Sequence, residues 1–231
     1  TNNFYLTAGA PTPGFIFKVN SNGIFITGSF TGTSDFNPGV GVNAHSANGG
    51  GWWDAFLLKL DLNGNYVWSQ RYGGQLIDCG RALDFDVNQN IYLIGYFSTT
   101  VSFNFNTGGN TMSSYGGTDS FILKLDPSGN FLWVKQFGGS ADEDFGCIEV
   151  DGASNVYFGG GTFLSNSIDM DPGPSVNTLF SNGGSDIAVG KLDANGNLLW
   201  AKVIGNSSPN AGALRFNDFS NQLIIYTSFS G

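Results

Sequence analysis

Three stretches of this 231-residue sequence place side-chain oxygens two residues apart, just ahead of a glycine. They are Asp35-Phe36-Asn37-Pro38-Gly39, Asn104-Phe105-Asn106-Thr107-Gly108 and Asp169-Met170-Asp171-Pro172-Gly173. On extended backbone, residues two apart point to one side, so each pair can bring its oxygens together. Hard cations such as calcium take about six to eight oxygen ligands. Asp35, Asn37, Asn104, Asn106, Asp169 and Asp171 are therefore candidate metal ligands, and calcium is the candidate cofactor. Asp169 and Asp171 are the strongest pair, while the middle copy has no carboxylate. A second reading needs no metal: Asp and Asn cap turns by accepting backbone N–H groups, and the apolar residue between them plugs a sheet edge.

A different chemistry is offered by Trp52-Trp53, which lie near His45, the single histidine. Aromatic faces stack on sugar rings, so His45, Trp52 and Trp53 are candidate ligand-binding residues; the alternative is a local plug over a sheet edge. One histidine cannot build a multi-histidine metal site, and no nucleophile-elbow pattern supports a serine triad around it. Gly49-Gly50-Gly51 is followed by neither a lysine nor a helix, so it is not a phosphate loop. Asp142-Glu143-Asp144 could supply paired carboxylates for glycoside hydrolysis, but adjacent acids in a loop read first as solvated. Asp54, Asp119 and Asp186 recur at matching places; an enzyme site is normally single, so repetition makes them structural acceptors. No catalytic residue is assigned, and the chain is read as a non-enzyme.

These residues are positioned by a phrase that recurs three times: DAFLLKLDLNGNYVWSQRYGG from Asp54, DSFILKLDPSGNFLWVKQFGG from Asp119, and SDIAVGKLDANGNLLWAKVIG from Ser185. Each is a β-hairpin in outline. Alternating apolar residues form a strand, a turn rich in Gly and Asn reverses the chain, and a second strand carries Trp68, Trp133 or Trp200. The tryptophans are 65 and 67 residues apart, a period that marks a repeat architecture. A second hairpin precedes each phrase. Blade one is thus expected at 15–20, 24–30, 54–61 and 65–72, and blade two at 81–87, 91–103, 119–126 and 130–137. Blade three is expected at 147–151, 156–163, 186–193 and 197–204, with a half blade at 214–229 and an outer strand at 3–8. No helical stripe of useful length interrupts them.

Four antiparallel strands per repeat describe the blade of a β-propeller, all-β, with about three and a half blades in 231 residues. The tryptophans and the alternating apolar residues should fill the space between blades. The phrases from Asp54 and Asp119, each ending in Gly-Gly, resemble the bacterial β-propeller repeat called the SBBP repeat, across nearly all of the chain. The resemblance implies a propeller, often seven-bladed, in secreted or cell-surface bacterial proteins, many of which carry adhesion modules. It brings no catalytic motif. Three ways of satisfying the incomplete ring are open: further blades in a longer chain, two copies closing together, or a small four-bladed ring.

Composition narrows the partners. The formal net charge is −9 and charged residues make up 12%, which opposes nucleic acid, since phosphate binding needs a basic face. No run approaches the roughly 18 apolar residues of a membrane helix, and the first residues have no signal-peptide pattern. Cys79 and Cys147 occupy non-equivalent repeat positions and do not form a disulfide framework. The expected role is a rigid scaffold outside the cell that binds protein or glycan through the long excursions between the second and third strands. The alternatives are a lectin or carbohydrate-active enzyme using that face, or a self-assembling structural unit.

Overall fold

The structure is a computed structural model and describes residues 15–104, 108–160, 162–181, 186–204, 211–217 and 222–228. Asn106 and the strand expected at 3–8 lie outside them. Every regular element among the described residues is a β-strand.

The first unit comprises β1 (Ile16–Asn20), β2 (Gly23–Phe30), β3 (Thr33–Asp35), β4 (Ala44–Ser46), β5 (Asp54–Leu60) and β6 (Tyr66–Tyr72). The second comprises β7 (Cys79–Phe85), β8 (Ile91–Asn104), β9 (Gly109–Leu125) and β10 (Phe131–Gly139). The third comprises β11 (Glu143–Asp144), β12 (Cys147–Val150), β13 (Val156–Gly159), β14 (Thr162–Phe163), β15 (Ser167–Asp169), β16 (Thr178–Phe180), β17 (Ile187–Leu192) and β18 (Leu198–Ile204). A further pair follows, β19 (Ala211–Asn217) and β20 (Gln222–Ser228). The first and third units form four-stranded antiparallel sheets, in the orders β1-β2-β5-β6 and β12-β13-β17-β18. The second sheet has the order β7-β8-β9-β10 and gains β15 and β16 of the third unit on the outer edge of β10.

Strand alternation explains how the sheets stack. Along β8 and β9, Ile91, Leu93, Phe121, Leu123 and Leu125 face the first unit and bury Phe25, Ala55, Leu57 and Tyr72 with them. Their neighbours Tyr92, Ile94 and Ile122 point the other way and, with Phe137 of β10, join Ile148, Val156 and Phe158 of the third unit. A strand buried on both faces reads as a nearly continuous apolar run, as FILKL and IYLIGYF do. Each such side chain contributes about 1.5–3 kcal/mol of burial. Trp68 and Trp133 sit half-buried between units as expected, on the first and second clusters, while Trp200 is half-buried beside Val189 of its own unit.

The turns use a device the sequence reading did not isolate. Asp61, Asp86, Asp126, Asp151 and Asp193 each accept the backbone N–H groups two and four residues later, at 2.8–3.0 Å. Each also accepts the side-chain amide of the asparagine four residues on: Asn65, Asn90, Asn130, Asn155 or Asn197. The residue before that asparagine is left-handed in every case, with φ from 63° to 87° at Gly64, Gln89, Gly129, Ser154 and Gly196. The innermost strands are tied by charge. Lys18 of β1 contacts Asp84 of β7 at 2.5 Å, and Asp84 accepts the N–H of Val150 in β12 at 2.7 Å. These strands line a cavity of roughly 290 Å³. No disulfide joins Cys79, which is buried, to Cys147.

Two expected boundaries are corrected. The third strand of the second unit begins at Gly109, not Asp119, because the middle excursion is a hairpin continuous with β8 and β9. The strand expected at 156–163 stops at Gly159, where φ of 136° and then 69° at Gly160 turn the chain away. Thr162 and Phe163 pair with Asp144 and Glu143 instead.

A cleft beside Trp52 as the candidate functional site

All three excursions are hairpins whose ends are held by hydroxyl pairs or carboxylates. Asp35 Oδ1 accepts the N–H groups of Asn37 (3.0 Å) and Asn43 (2.8 Å), and Asn37 accepts that of Gly39 (2.9 Å). Asp169 Oδ1 repeats this with Asp171 (3.0 Å) and Asn177 (2.9 Å), and Asp171 accepts from Gly173 (2.8 Å). The donors from Asn37 and then Asn43 hold the Asp35 carboxyl below the usual carboxylate range. These four side chains are engaged as turn acceptors. Among the described residues, no group of three or more His, Cys, Asp or Glu is placed to share a metal ion.

The middle copy is in a different register from the one the sequence suggested. The hydroxyls of Thr33 and Ser46 pair at 2.8 Å, and those of Thr100 and Ser113 pair at 2.7 Å. This aligns Asp35 with Ser102 and Asp169, at spacings of 67 residues, rather than with Asn104. The buried plugs are correspondingly Phe36, Phe103 and Met170, all fully buried. Asn104 instead accepts the N–H of Gly108 through its backbone carbonyl at 2.7 Å, closing a shorter loop.

His45 does not share a site with Trp52. It lies on β4 with its ring 5.3 Å from Phe36, and its Nε2 is 2.7 Å from Ser69 Oγ. Ser69 is buried and donates to Asn43 Oδ1 at 2.9 Å, with the Tyr66 hydroxyl at 3.1 Å. Ser69 is thus enclosed by His45, Asn43 and Tyr66 rather than presented at an open surface. Burial, and then the Arg71 charge, lower the His45 pKa. The group braces the hairpin onto β6.

Trp53 is half-buried, and its carbonyl accepts the N–H of Asp78 at 2.8 Å. Trp52 is 49% exposed and walls a cleft of roughly 290 Å³ between the first and second units. Leu76, Ile77, Thr99, Ser114 and Asp142 complete its floor and rim. Thr99 has φ of 62°, a left-handed conformation that is an outlier for a β-branched residue; the matching position in the first unit is Gly32, at 63°. The N–H of Thr99 donates to Ser114 Oγ at 3.1 Å, and Asp142 Oδ1 accepts the N–H of Thr118 at 2.8 Å.

The acidic run divides three ways, and the expectation of a merely solvated loop is corrected. Asp142 is exposed at the cleft, and Asp144 pairs with Arg81. Glu143 is fully buried because its carboxylate closes the turn, accepting the N–H groups of Gly139 (2.6 Å) and Ser165 (3.3 Å). Asp78, 65 residues earlier, does the same for Gly74 (2.8 Å) and Ser98 (3.0 Å) beneath the cleft. Burial raises both carboxyls, Asp78 to about 7. Asp54 and Asp119 are likewise fully buried with pKa values raised by burial; Asp54 pairs with Arg71 at 2.5 Å, and Asp119 accepts from Tyr115 at 3.0 Å.

No family model matches the chain. An uncharacterized WD repeat-containing protein of Acanthamoeba polyphaga mimivirus is 21% identical over 178 residues, covering 71% of this chain and 13% of that protein. The chain thus spans a small fraction of that relative's length. The likeness to a WD repeat-containing protein agrees with the stacked antiparallel sheets in suggesting a propeller-like repeat fold.

Leu76, Thr99 and Ser114 escaped the sequence reading because they are contributed by three separate segments. The signal within reach was the Gly32-to-Thr99 exchange between repeats.

Proposed function

We propose that the chain is part of a β-propeller of four-stranded blades, about three and a half of them within residues 15–229, and that it is a non-catalytic scaffold binding a protein partner at the Trp52 cleft. The observation carrying this reading is that features differing between repeats gather there: the exposed indole of Trp52, the strained Thr99 and the open carboxylate of Asp142. The buried carboxylates of Asp54, Asp78, Asp119 and Glu143 serve backbone and side-chain donors within the fold, which suits a scaffold. Sites on loops borne by rigid sheets are a common arrangement for binding. The WD repeat-containing relative supports, distantly, the propeller-like repeat fold on which this reading rests. Secretion or display on a bacterial surface follows from the SBBP-type resemblance and is part of the proposal.

A glycan is the second reading, favoured by an indole face beside the Thr99, Ser114 and Thr118 hydroxyls. The test is to immobilise the chain and its Trp52→Ala variant and probe both with purified surface proteins and with an oligosaccharide panel. A protein bound by the wild type and lost in the variant supports the first reading, and an oligosaccharide doing so supports the second. Ligands bound equally by both variants place function elsewhere.

A further inference from the structure

At three places in this fold an aromatic ring and a carboxylate share one cation. The Arg81 guanidinium lies 5.1 Å from the centre of the Tyr96 ring and pairs with Asp144. Lys124 lies 4.7 Å from the Tyr92 ring centre and 3.6 Å from Asp86. Lys191 lies 4.5 Å from that of Tyr157 and 3.6 Å from Asp151. The Trp52 cleft offers the same two partners. Its indole is exposed, and none of the cation–ring contacts among the described residues involves it. Asp142, on the rim, is exposed, and its Oδ1 accepts the N–H of Thr118 at 2.8 Å and the Thr118 hydroxyl at 3.3 Å. No lysine or arginine among the described residues pairs with that carboxylate. Repetition of the fold requires neither partner. The residue two before each strand-opening aspartate is Trp52, Gly117 or Gly184, and Asp142 precedes Glu143 where Ile77 precedes Asp78.

Resting on the reading of this cleft as a protein-binding site, we infer that it receives an arginine side chain of the partner, laid on the Trp52 indole with its charge met by Asp142. A guanidinium is planar, weakly hydrated and always charged, so it can stack on an aromatic face while bonding a carboxylate. A lysine ammonium is compact and strongly hydrated, and gains less over the apolar Leu76 and Ile77. The cleft volume of roughly 290 Å³ lies at the low end of ligand pockets, a size for one side chain. The net charge of −9 favours the approach of a basic partner surface.

Titrating the isotope-labelled chain with a blocked Gly-Arg-Gly peptide tests this, read at the indole N–H resonances by NMR. The Trp52 signal is the one missing from Trp52→Phe. A saturable shift of that signal is expected, with a dissociation constant below about 10 mM. Citrulline in place of the arginine, which keeps the shape and removes the charge, should weaken binding at least about fivefold, and lysine at least about twofold. Asp142→Asn keeps an acceptor for Thr118 and should weaken the arginine peptide at least about threefold. Asp142 is exposed, so an unchanged melting temperature separates lost binding from lost folding. The absence of a saturable shift overturns the inference, as does equal binding of the citrulline or lysine peptide, or an Asp142→Asn chain that binds as the wild type does. The reading beneath it fails separately, when no purified protein depends on Trp52. A protein that needs Trp52 but not Asp142 keeps that reading and overturns the arginine.

Discussion

The ammonium of Lys59 donates to the carbonyl of Pro127 at 3.1 Å, reaching from one unit into the turn of the next. Lys124 repeats the reach to Ala194, also at 3.1 Å, while lying 3.6 Å from Asp86 and over the Tyr92 ring at 4.7 Å. The lysines of the first two KLD phrases are therefore latches between units rather than solvated charges, whereas Lys191 of the third contacts Tyr157 and Asp151 within its own unit. Burial lowers the pKa of both lysines.

Removing the latch should loosen the stack. Lys124→Met keeps the stem over Tyr92 and Trp133 but deletes the charged hydrogen bond, which should cost about 2 kcal/mol. The expected result is a melting temperature lower by about 5 °C. No change in calorimetry would show that the contact contributes nothing.

Asp78 gives a pH dependence with a definite sign. Its folded pKa is raised to about 7 by burial, against about 3.9 unfolded. Its contribution is thus fully present below the unfolded value and lost as pH rises through about 7. Asp78→Asn removes that titration, so the variant should gain stability relative to wild type between pH 5 and 8, by about the same route in urea or heat. Urea midpoints at the two pH values check it, and parallel shifts in both proteins would refute it.

The five Asp-to-Asn turns do not all place glycine before the asparagine. Gln89 and Ser154 take the left-handed conformation that Gly64, Gly129 and Gly196 take elsewhere. Gln89→Gly should be neutral to stabilising by about 0.5–1 kcal/mol. Gly129→Ala should be destabilising by about 1–2 kcal/mol, since its added carbon would also meet Gln70 at 2.8 Å. Equal effects from the two changes in thermal melts would sink this account.

The Asp35 and Asp169 loops separate the two readings offered for their carboxylates. Because backbone N–H groups already engage them, chelator should leave the melting temperature unchanged. A rise on adding calcium, abolished by Asp169→Asn, would instead assign the loops to metal binding.

The hairpin phrases, the repeat period and the apolar alternation were legible in the sequence because they are local. Side chains at i and i+2 share a face wherever a strand forms, and Asn-Gly turns bend whatever their surroundings. The Asp-to-Asn turn clasp was equally local: Asp61 and Asn65 have four later counterparts at the same spacing. The register of Phe103 was not legible, because Asn104-Phe105-Asn106 imitates the flanking copies and only the Thr100–Ser113 pairing fixes the alignment. The burial of Glu143 depends on Gly139 and Ser165 meeting it from both sides. The cleft joins Trp52, Thr99 and Asp142, which are 47 and 43 residues apart along the chain. Sequence thus determined the strands and their repetition, which follow from backbone geometry and nearest neighbours. Tertiary structure decided which acids lose their water, which aromatic keeps it, and where separate units leave a cleft between them, since each depends on the solvent excluded when one sheet is laid against another.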